Sequence, residues 1–360
     1  MRWRDLGFLL PFGLALLPAG ALAWIAAGGT ASVGAWLPLL VIFGVLPIID
    51  VLCGIDTGNR DTRDAGLERH GYFRVLTLLT VLAWPAVLAY CAWESTRLPL
   101  GPFGMLGWIL STGVLGGTLA ITPAHELVHK STRLERLCGG LLLTSVGYHG
   151  FKIEHVRGHH VNVATPADAS SARFGESVYA FVPRALRDNV RNAWRLEARR
   201  LQQGGQRAWS HHNEMLRWSV LWLVLLAAFA LWLGAAGALF FVAQGIAAAS
   251  TLEIINYVEH YGLERRAVVL GRYERVTHLH SWNAPQRVSN WLLFNLQRHS
   301  DHHAHARRRY QVLQHHDDSP QLPAGYATMI VLALVPPLWR RTMDPRALRA
   351  RGAALRLKDA

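Results

Sequence analysis

The chain has 360 residues, 51% of them hydrophobic and only 17% charged, against about 25% charged in an ordinary globular domain. Its formal charge of +13 could suit nucleic acid, but no finger, homeodomain or RNA-module pattern accompanies it. A soluble fold is disfavoured by where charge is missing: no Asp, Glu, Lys or Arg occurs over residues 6–49, 75–93, 98–124 or 218–252.

A membrane-spanning helix needs roughly 20 mostly apolar residues, and the uncharged stretches divide best into six spans. The first two cover 6–27 and 32–53, separated by the flexible turn Gly28-Gly29-Thr30. The apolar run is too long for a signal peptide. The third and fourth spans cover 75–93 and 102–122. The 218–252 stretch exceeds one span, and Gly234-Ala235-Ala236-Gly237 provides a turn near its middle. It reads as a hairpin of spans over 215–233 and 236–257, with a tilted span plus a re-entrant segment as the alternative. The expectation is an all-α integral membrane protein. Its polar cap comprises 123–214 and 258–349, followed by a basic tail at 350–360.

Six spans put both termini on one side. The segments joining them there hold most of the basic residues, among them Arg184, Arg187, Arg191, Arg195, Arg199 and Arg200. The positive-inside bias therefore places cap and termini in the cytoplasm. Such a surface suits anionic lipid or an acidic protein partner. The three cysteines, Cys53, Cys91 and Cys138, have no metal-binding or redox spacing. They cannot build a disulfide framework or an iron–sulfur domain.

Histidine dominates the expected cap. His125-Glu126-Leu127-Val128-His129-Lys130 follows the fourth span, and Glu154-His155-Val156-Arg157-Gly158-His159-His160 lies in the long loop. Arg298-His299-Ser300-Asp301-His302-His303 comes near the end, and His260 lies at the mouth of the last span. On a helix, residues three or four apart are neighbours, so each cluster is expected to present its histidines on one face.

The nine candidates His125, His129, His155, His159, His160, His260, His299, His302 and His303 exceed the four ligands of one zinc ion. They suit two metals, and imidazole accepts iron, copper, nickel or zinc. One HxxxH pair is often incidental; three clusters beside spans are not. A zinc protease would use the HExxH motif but leave seven histidines idle. A transporter would distribute ligands along a path through the membrane, whereas these gather at one side. Glu126, Glu154, Glu259 and Asp301 neighbour the candidates and could orient their rings, or bridge the metals, or simply pair with Lys130, Arg157 and Arg298. His149, His278, His280, His305, His315 and His316 lack the repeated spacing and read as outer or surface residues.

Beyond these motifs the chain resembles the integral membrane alkane 1-monooxygenases, relatives of the membrane fatty acid desaturases and of xylene monooxygenase. The likeness rests on HELVHK at 125–130, EHVRGHHVNVATPADASSARFGES at 154–177 and NYVEHYGL at 256–263. It continues through HSWN at 280–283, NLQRHSDHHAHARRRYQVL at 295–313 and LPAGY at 322–326. It covers the chain from about the second span to Arg349. Val128 stands where glycine is common in that family.

The resemblance implies a non-haem di-iron centre held by the nine histidines, without haem or flavin. It implies dioxygen as oxidant and terminal hydroxylation of medium- to long-chain n-alkanes to 1-alkanols in a bacterial inner membrane. Electrons would come from rubredoxin, recharged by an NAD(P)H-dependent reductase; with three cysteines the rubredoxin is expected to be a separate protein rather than a fused domain. Fatty acyl desaturation and aromatic-methyl hydroxylation are the alternatives within the superfamily. An alkane channel between the spans is expected, and Gly44, Gly113, Gly116 and Gly117 leave space either for it or for close helix packing.

Overall fold

The computed structural model describes residues 3–269 and 271–359. Helices make up nearly all of its regular structure, and among the described residues the one sheet is a small antiparallel ribbon, Ala267–Val269 with Arg272–Tyr273. Among the described residues, three helices are long and apolar enough to cross a membrane: Gly66–Ser95, Gly101–Val128 and Glu214–His260. The pair Trp3–Leu14 and Leu17–Ala26, bent by 52°, makes a fourth if it counts as one broken span. The protein is thus a multi-pass membrane protein by the length and composition of its helices.

Proline accounts for much of the irregularity near the N-terminus. Pro18 opens the second half of the bent pair, Pro38 opens the Leu37–Cys53 helix and Pro47 lies inside it. In the first turn proline is tolerated, whereas inside a helix Pro47 removes an amide donor and crowds the preceding turn. A turn of π-helix at Val41–Val45 lies between those two prolines. At 1.5 Å per residue, Leu37–Cys53 falls short of the roughly 30 Å hydrocarbon core.

The Glu214–His260 helix has 47 residues, more than twice what one crossing needs. It breaks at Gly234, where φ is 68° and ψ is −163°, a conformation open essentially to glycine alone. The rings of Phe229 and Phe241 stack with centroids 4.7 Å apart. Along a straight helix, twelve residues would separate them by about 18 Å, so the two halves fold back as a hairpin.

The helices pack around buried Trp84, Trp108, Leu115, Leu119 and Phe241. Lipid offers no hydrogen bonds, so buried indoles need partners inside the protein. Trp84 Nε1 donates to Ser145 Oγ at 2.8 Å and Trp108 Nε1 to the Cys91 carbonyl at 2.8 Å. The glycines expected to leave space divide by role. A Cβ on Gly113 would lie 2.4 Å from that of Ala247, and one on Gly116 would lie 2.9 Å from the Trp84 ring, so both serve close helix packing. Gly117 would meet only Thr251, at 3.7 Å, and Gly44 nothing within 4 Å.

A second core, with Phe181, Tyr257, Tyr261, Trp282, Met329 and Trp339, supports the polar end of the bundle. The arginine-rich helix Val178–Gln203 buries Phe181, Ala185, Asn189, Ala193, Glu197 and Leu201 against it and its surroundings. This repeat of about four leaves Arg187 and Arg191 facing out. Arg298 donates to the carbonyls of Leu313, Asp56 and Gly58 at 2.7–3.1 Å and so ties three loops beside the last histidine cluster. The tail expected over 350–360 continues the Pro336–Asp359 helix; Ala360 and the side chains from 353 onward lie outside the described residues.

Candidate metal centre

Four segments bring the histidines together. His125 and His129 end the Gly101–Val128 helix, with His129 as its C-cap. His155, His159 and His160 lie on consecutive helical turns within 151–162. His260 closes the Glu214–His260 helix, and His299, His302 and His303 lie on the short helix His299–Ala304.

They form two groups: His125, His129, His155, His160 and His302 in one, and His159, His260, His299 and His303 in the other. Within each group the ligand nitrogens all lie within 4.8 Å of one another. The expectation that each cluster shares one face is therefore corrected. His155–His159 is a π-helical turn, whose wider pitch aligns residues five apart. His155 and His160 converge with Nε2 atoms 3.1 Å apart, while His159 points to the other group. On His299–Ala304 the α-helical spacing pairs His299 with His303 at 3.0 Å, and His302 turns to His160 at 3.1 Å.

These separations have a simple physical reading. Two nitrogens each about 2.1 Å from one ion, at right angles, are about 3.0 Å apart. His159 and His303 approach to 3.2 Å, and His260 and His299 to 3.3 Å, through Nε2. Two more nitrogens, His125 Nε2 and His129 Nε2, are buried with no hydrogen-bond partner, a state that costs about 1–3 kcal/mol per group unless an ion accepts the lone pair. Burial first, and then repulsion among neighbours, holds His129, His155, His160, His299, His302 and His303 well below the ordinary imidazole pKa. Neutral imidazole is the ligating form, so the residues fit two non-haem metal ions.

His159 differs from its neighbours. Burial alone would lower its pKa, but Asp168 Oδ2 lies 2.9 Å from Nδ1 and raises it instead. Asp168 is itself fixed by Ser171 Oγ at 2.6 Å and the Ser170 amide at 3.2 Å. This carboxylate–histidine pair holds the ring with Nε2 toward the site. Sequence reasoning missed Asp168, which belongs to no histidine motif. Ser281 Oγ, 3.5 Å from His260 Nδ1, is a second supporting contact that spacing does not reveal.

The four acids singled out from the sequence have different surroundings. Glu259 alone touches a histidine of the two groups: its Oε2 lies 3.2 Å from His299 Nε2, and its Oε1 accepts from Tyr326 OH at 2.6 Å. Glu126 pairs with Lys130 at 2.8 Å and accepts from the Tyr310 amide at 3.3 Å. Lys130 also donates to the Arg308 carbonyl at 2.8 Å, so the two clamp the first histidine segment to the chain following the third. Burial pushes the Glu154 carboxyl up to about 8; its Oε1 occupies the space a Cβ on Gly158 would need, 2.5 Å away. Asp301 binds Arg308 twice, with His305 and His316 at 3.2 and 3.1 Å. Four of the other histidines singled out from the sequence pair outside the two groups, His149 with Ser219, His278 with Asp318, His280 with Glu274 and His315 with Asp317.

Beneath the histidines lies a narrow apolar cavity of about 50 Å³. Leu14, Ile42, Phe43, Val114, Gly117 and Ile330 line it. Thr122, one turn before His125, and Tyr326, bonded to Glu259, mark its end toward the metal centre.

The fatty acid desaturase family profile matches residues 100–333. Alkane 1-monooxygenase 2 of Pseudomonas aeruginosa is 52% identical over 316 residues, covering 86% of this chain and 83% of its own length. Alkane 1-monooxygenase 2 of Alcanivorax borkumensis is 49% identical over 350 residues, covering 96% and 91%. The chain belongs to the alkane 1-monooxygenase family. Similarity extends, at 28% identity over 311 residues, to the hydroxylase component of xylene/toluene monooxygenase from Pseudomonas putida, covering 85% and 81%. Val128, a departure from the alkane 1-monooxygenase pattern, packs in the interior at 4% exposure. Opposite it a Cβ on Gly139 would lie 3.0 Å from Val128 Cγ1, so Gly139 makes room for the larger side chain.

Proposed function

We propose that this protein hydroxylates the terminal methyl of medium- to long-chain n-alkanes to give 1-alkanols, using dioxygen at a non-haem di-iron centre. The observation that carries the reading is the stacking of two histidine groups above an apolar cavity within the bundle. Neutral nitrogen ligands leave the metals to be named by kinship, and the relatives at 49–52% identity are named alkane 1-monooxygenases.

One iron would be held by His125, His129, His155, His160 and His302, the other by His159, His260, His299 and His303. Bound iron supplies the capacity to reduce dioxygen and oxidise a strong C–H bond, which no amino-acid side chain can do. The chain's own residues bind, orient and shelter. An alkane has no polar handle, so the cavity walls at Ile42, Phe43, Val114 and Ile330 would hold it by shape and by apolar contact. Gly117 leaves the passage open, and Thr122 and Tyr326 stand where the terminal methyl would meet the metal centre. Asp168 orients His159, while Tyr326 and His299 fix the Glu259 carboxylate beside the four-histidine ion.

Topology supports the same reading. Six crossings, at 6–27, 32–53, 75–93, 102–122, 215–233 and 236–257, would take the bent N-terminal pair as one span, extend the short Leu37–Cys53 helix with Ala31–Gly34 and divide Glu214–His260 into two. With both termini and the histidine cap cytoplasmic, the arginine-rich face is open to an acidic donor. We assign that role to a separate rubredoxin, recharged by an NAD(P)H-dependent reductase. The three cysteines are free thiols and too few for a four-thiolate iron site.

Iron-loaded protein supplied with rubredoxin, its reductase, NAD(P)H, labelled dioxygen and alkanes of graded length is expected to yield 1-alkanols carrying one labelled oxygen. Desaturated or aromatic-methyl products in place of 1-alkanols would overturn the assignment.

A further inference from the structure

A pocket away from the metal centre opens between the start of the Arg133–Ser145 helix and the start of the Glu214–His260 helix. Arg133, Arg136, Lys152 and Arg217 surround it, and Leu137 and Leu221 form its apolar wall beside Trp218. Its single lining acid, Glu214, is held by Lys152 and lies 3.7 Å from Arg157. Arg136 donates to the carbonyls of Lys130 and Ser131. Among the described residues, the guanidiniums of Arg133 and Arg217 have no ion pair and no hydrogen bond. Two arginines thus line the pocket with unused charge.

Position selects the kind of anion. Arg217 is the last cation before the uncharged stretch 218–252, so the pocket sits at the membrane boundary. Below it the surface is apolar and exposed. Leu134, Leu137 and Leu141 form one row along the Arg133–Ser145 helix, and Val220, Leu223 and Val224 continue outward on the facing helix. Cations above an apolar strip match the amphipathic form of a lipid, in which a phosphate sits at the interface and acyl chains run beside the protein. A soluble anion would leave the strip unused. The pocket has a volume of about 580 Å³, enough for a headgroup and not merely a bare ion.

We propose that Arg133 and Arg217 form a binding site for one anionic phospholipid, with its phosphate between the two guanidiniums and its acyl chains along Leu137, Leu141 and Leu221. The lipid joins the Arg133–Ser145 helix, which follows His129, to the hairpin that ends at His260.

The test is native mass spectrometry of detergent-purified protein titrated with phosphatidylglycerol or with phosphatidylethanolamine of the same acyl chains, in the presence and absence of inorganic phosphate. The wild type is expected to retain one phosphatidylglycerol at least tenfold more strongly than phosphatidylethanolamine, unaffected by millimolar phosphate. The R133Q/R217Q variant should lose that preference, and R191Q, on a different surface, should keep it. If R133Q/R217Q does not fold, R133K/R217K replaces it: its charge is conserved but its forked donors are lost, so it should retain less phosphatidylglycerol than the wild type. Equal retention of both lipids by the wild type, unchanged retention by the variants, or displacement by phosphate alone would each overturn the proposal.

Discussion

Asp168 shows how much of the metal centre depends on a single side chain outside the ligand set. Its carboxylate accepts from His159 Nδ1 at 2.9 Å, and such supporting partners typically govern metal affinity by about 10–100-fold. Asp168→Asn is therefore expected to release the four-histidine metal about 10–100 times more readily to a chelator, leaving the five-histidine metal nearly unaffected. Following metal release in two kinetic phases checks this; equal acceleration of both phases would contradict it. Eight of the nine grouped histidines stand in spaced motifs and His260 stands at the mouth of the last span, whereas Asp168 had no such mark: an acid in a loop between 160 and 178 carries no periodic signal. For the four acids adjacent to motif histidines, chain proximity was a poor guide. Glu126, Glu154 and Asp301 turn to other partners, and only Glu259 reaches a histidine of the two groups.

Among the elements, the π-helical turn at His155–His159 is what divides the histidines of the second motif between the two groups. Spacing of four and five in one motif is ambiguous, because α-helical geometry favours 155 with 159 and π geometry favours 155 with 160. Nothing in a single sequence announces the wider turn, so the pairing appeared only in three dimensions. The break at Gly234 was more legible, since small flexible residues interrupt an apolar run too long for one crossing.

The joint between the Val178–Gln203 helix and the following hairpin depends on Glu197. Burial alone would raise its pKa, but hydrogen bonds from Arg200, the Glu214 amide and Arg157 hold it at about 2. A carboxyl depressed in this way stabilises the fold above its unfolded pKa of about 4.3, and the contribution disappears as pH falls toward the folded value. Glu197→Gln should lose about 1–3 kcal/mol at pH 7, read as a lower Tm. The difference from wild type should shrink as pH drops below about 4.3; a difference that grows there would contradict the role.

For the molecule as a whole, composition and charge gaps revealed a multi-pass helical protein, because lipid imposes a strong and continuous constraint on sequence. The cavity was legible only as an expectation, since glycines that open space and glycines that permit close packing look alike in one dimension. Gly113 and Gly116 sit against Ala247 and Trp84, while Gly117 faces the cavity. Gly117→Leu should fill part of the space and shift the product profile toward shorter alkanols, with metal content unchanged. An unchanged chain-length profile would remove Gly117 from the passage.

The proposed centre would hold two irons with unequal ligand sets. Anomalous diffraction at the iron absorption edge, on crystals of the iron-loaded protein, tests that most directly. We expect two peaks, one enclosed by His125, His129, His155, His160 and His302, the other by His159, His260, His299 and His303. A single peak, or two within one histidine group, would contradict it.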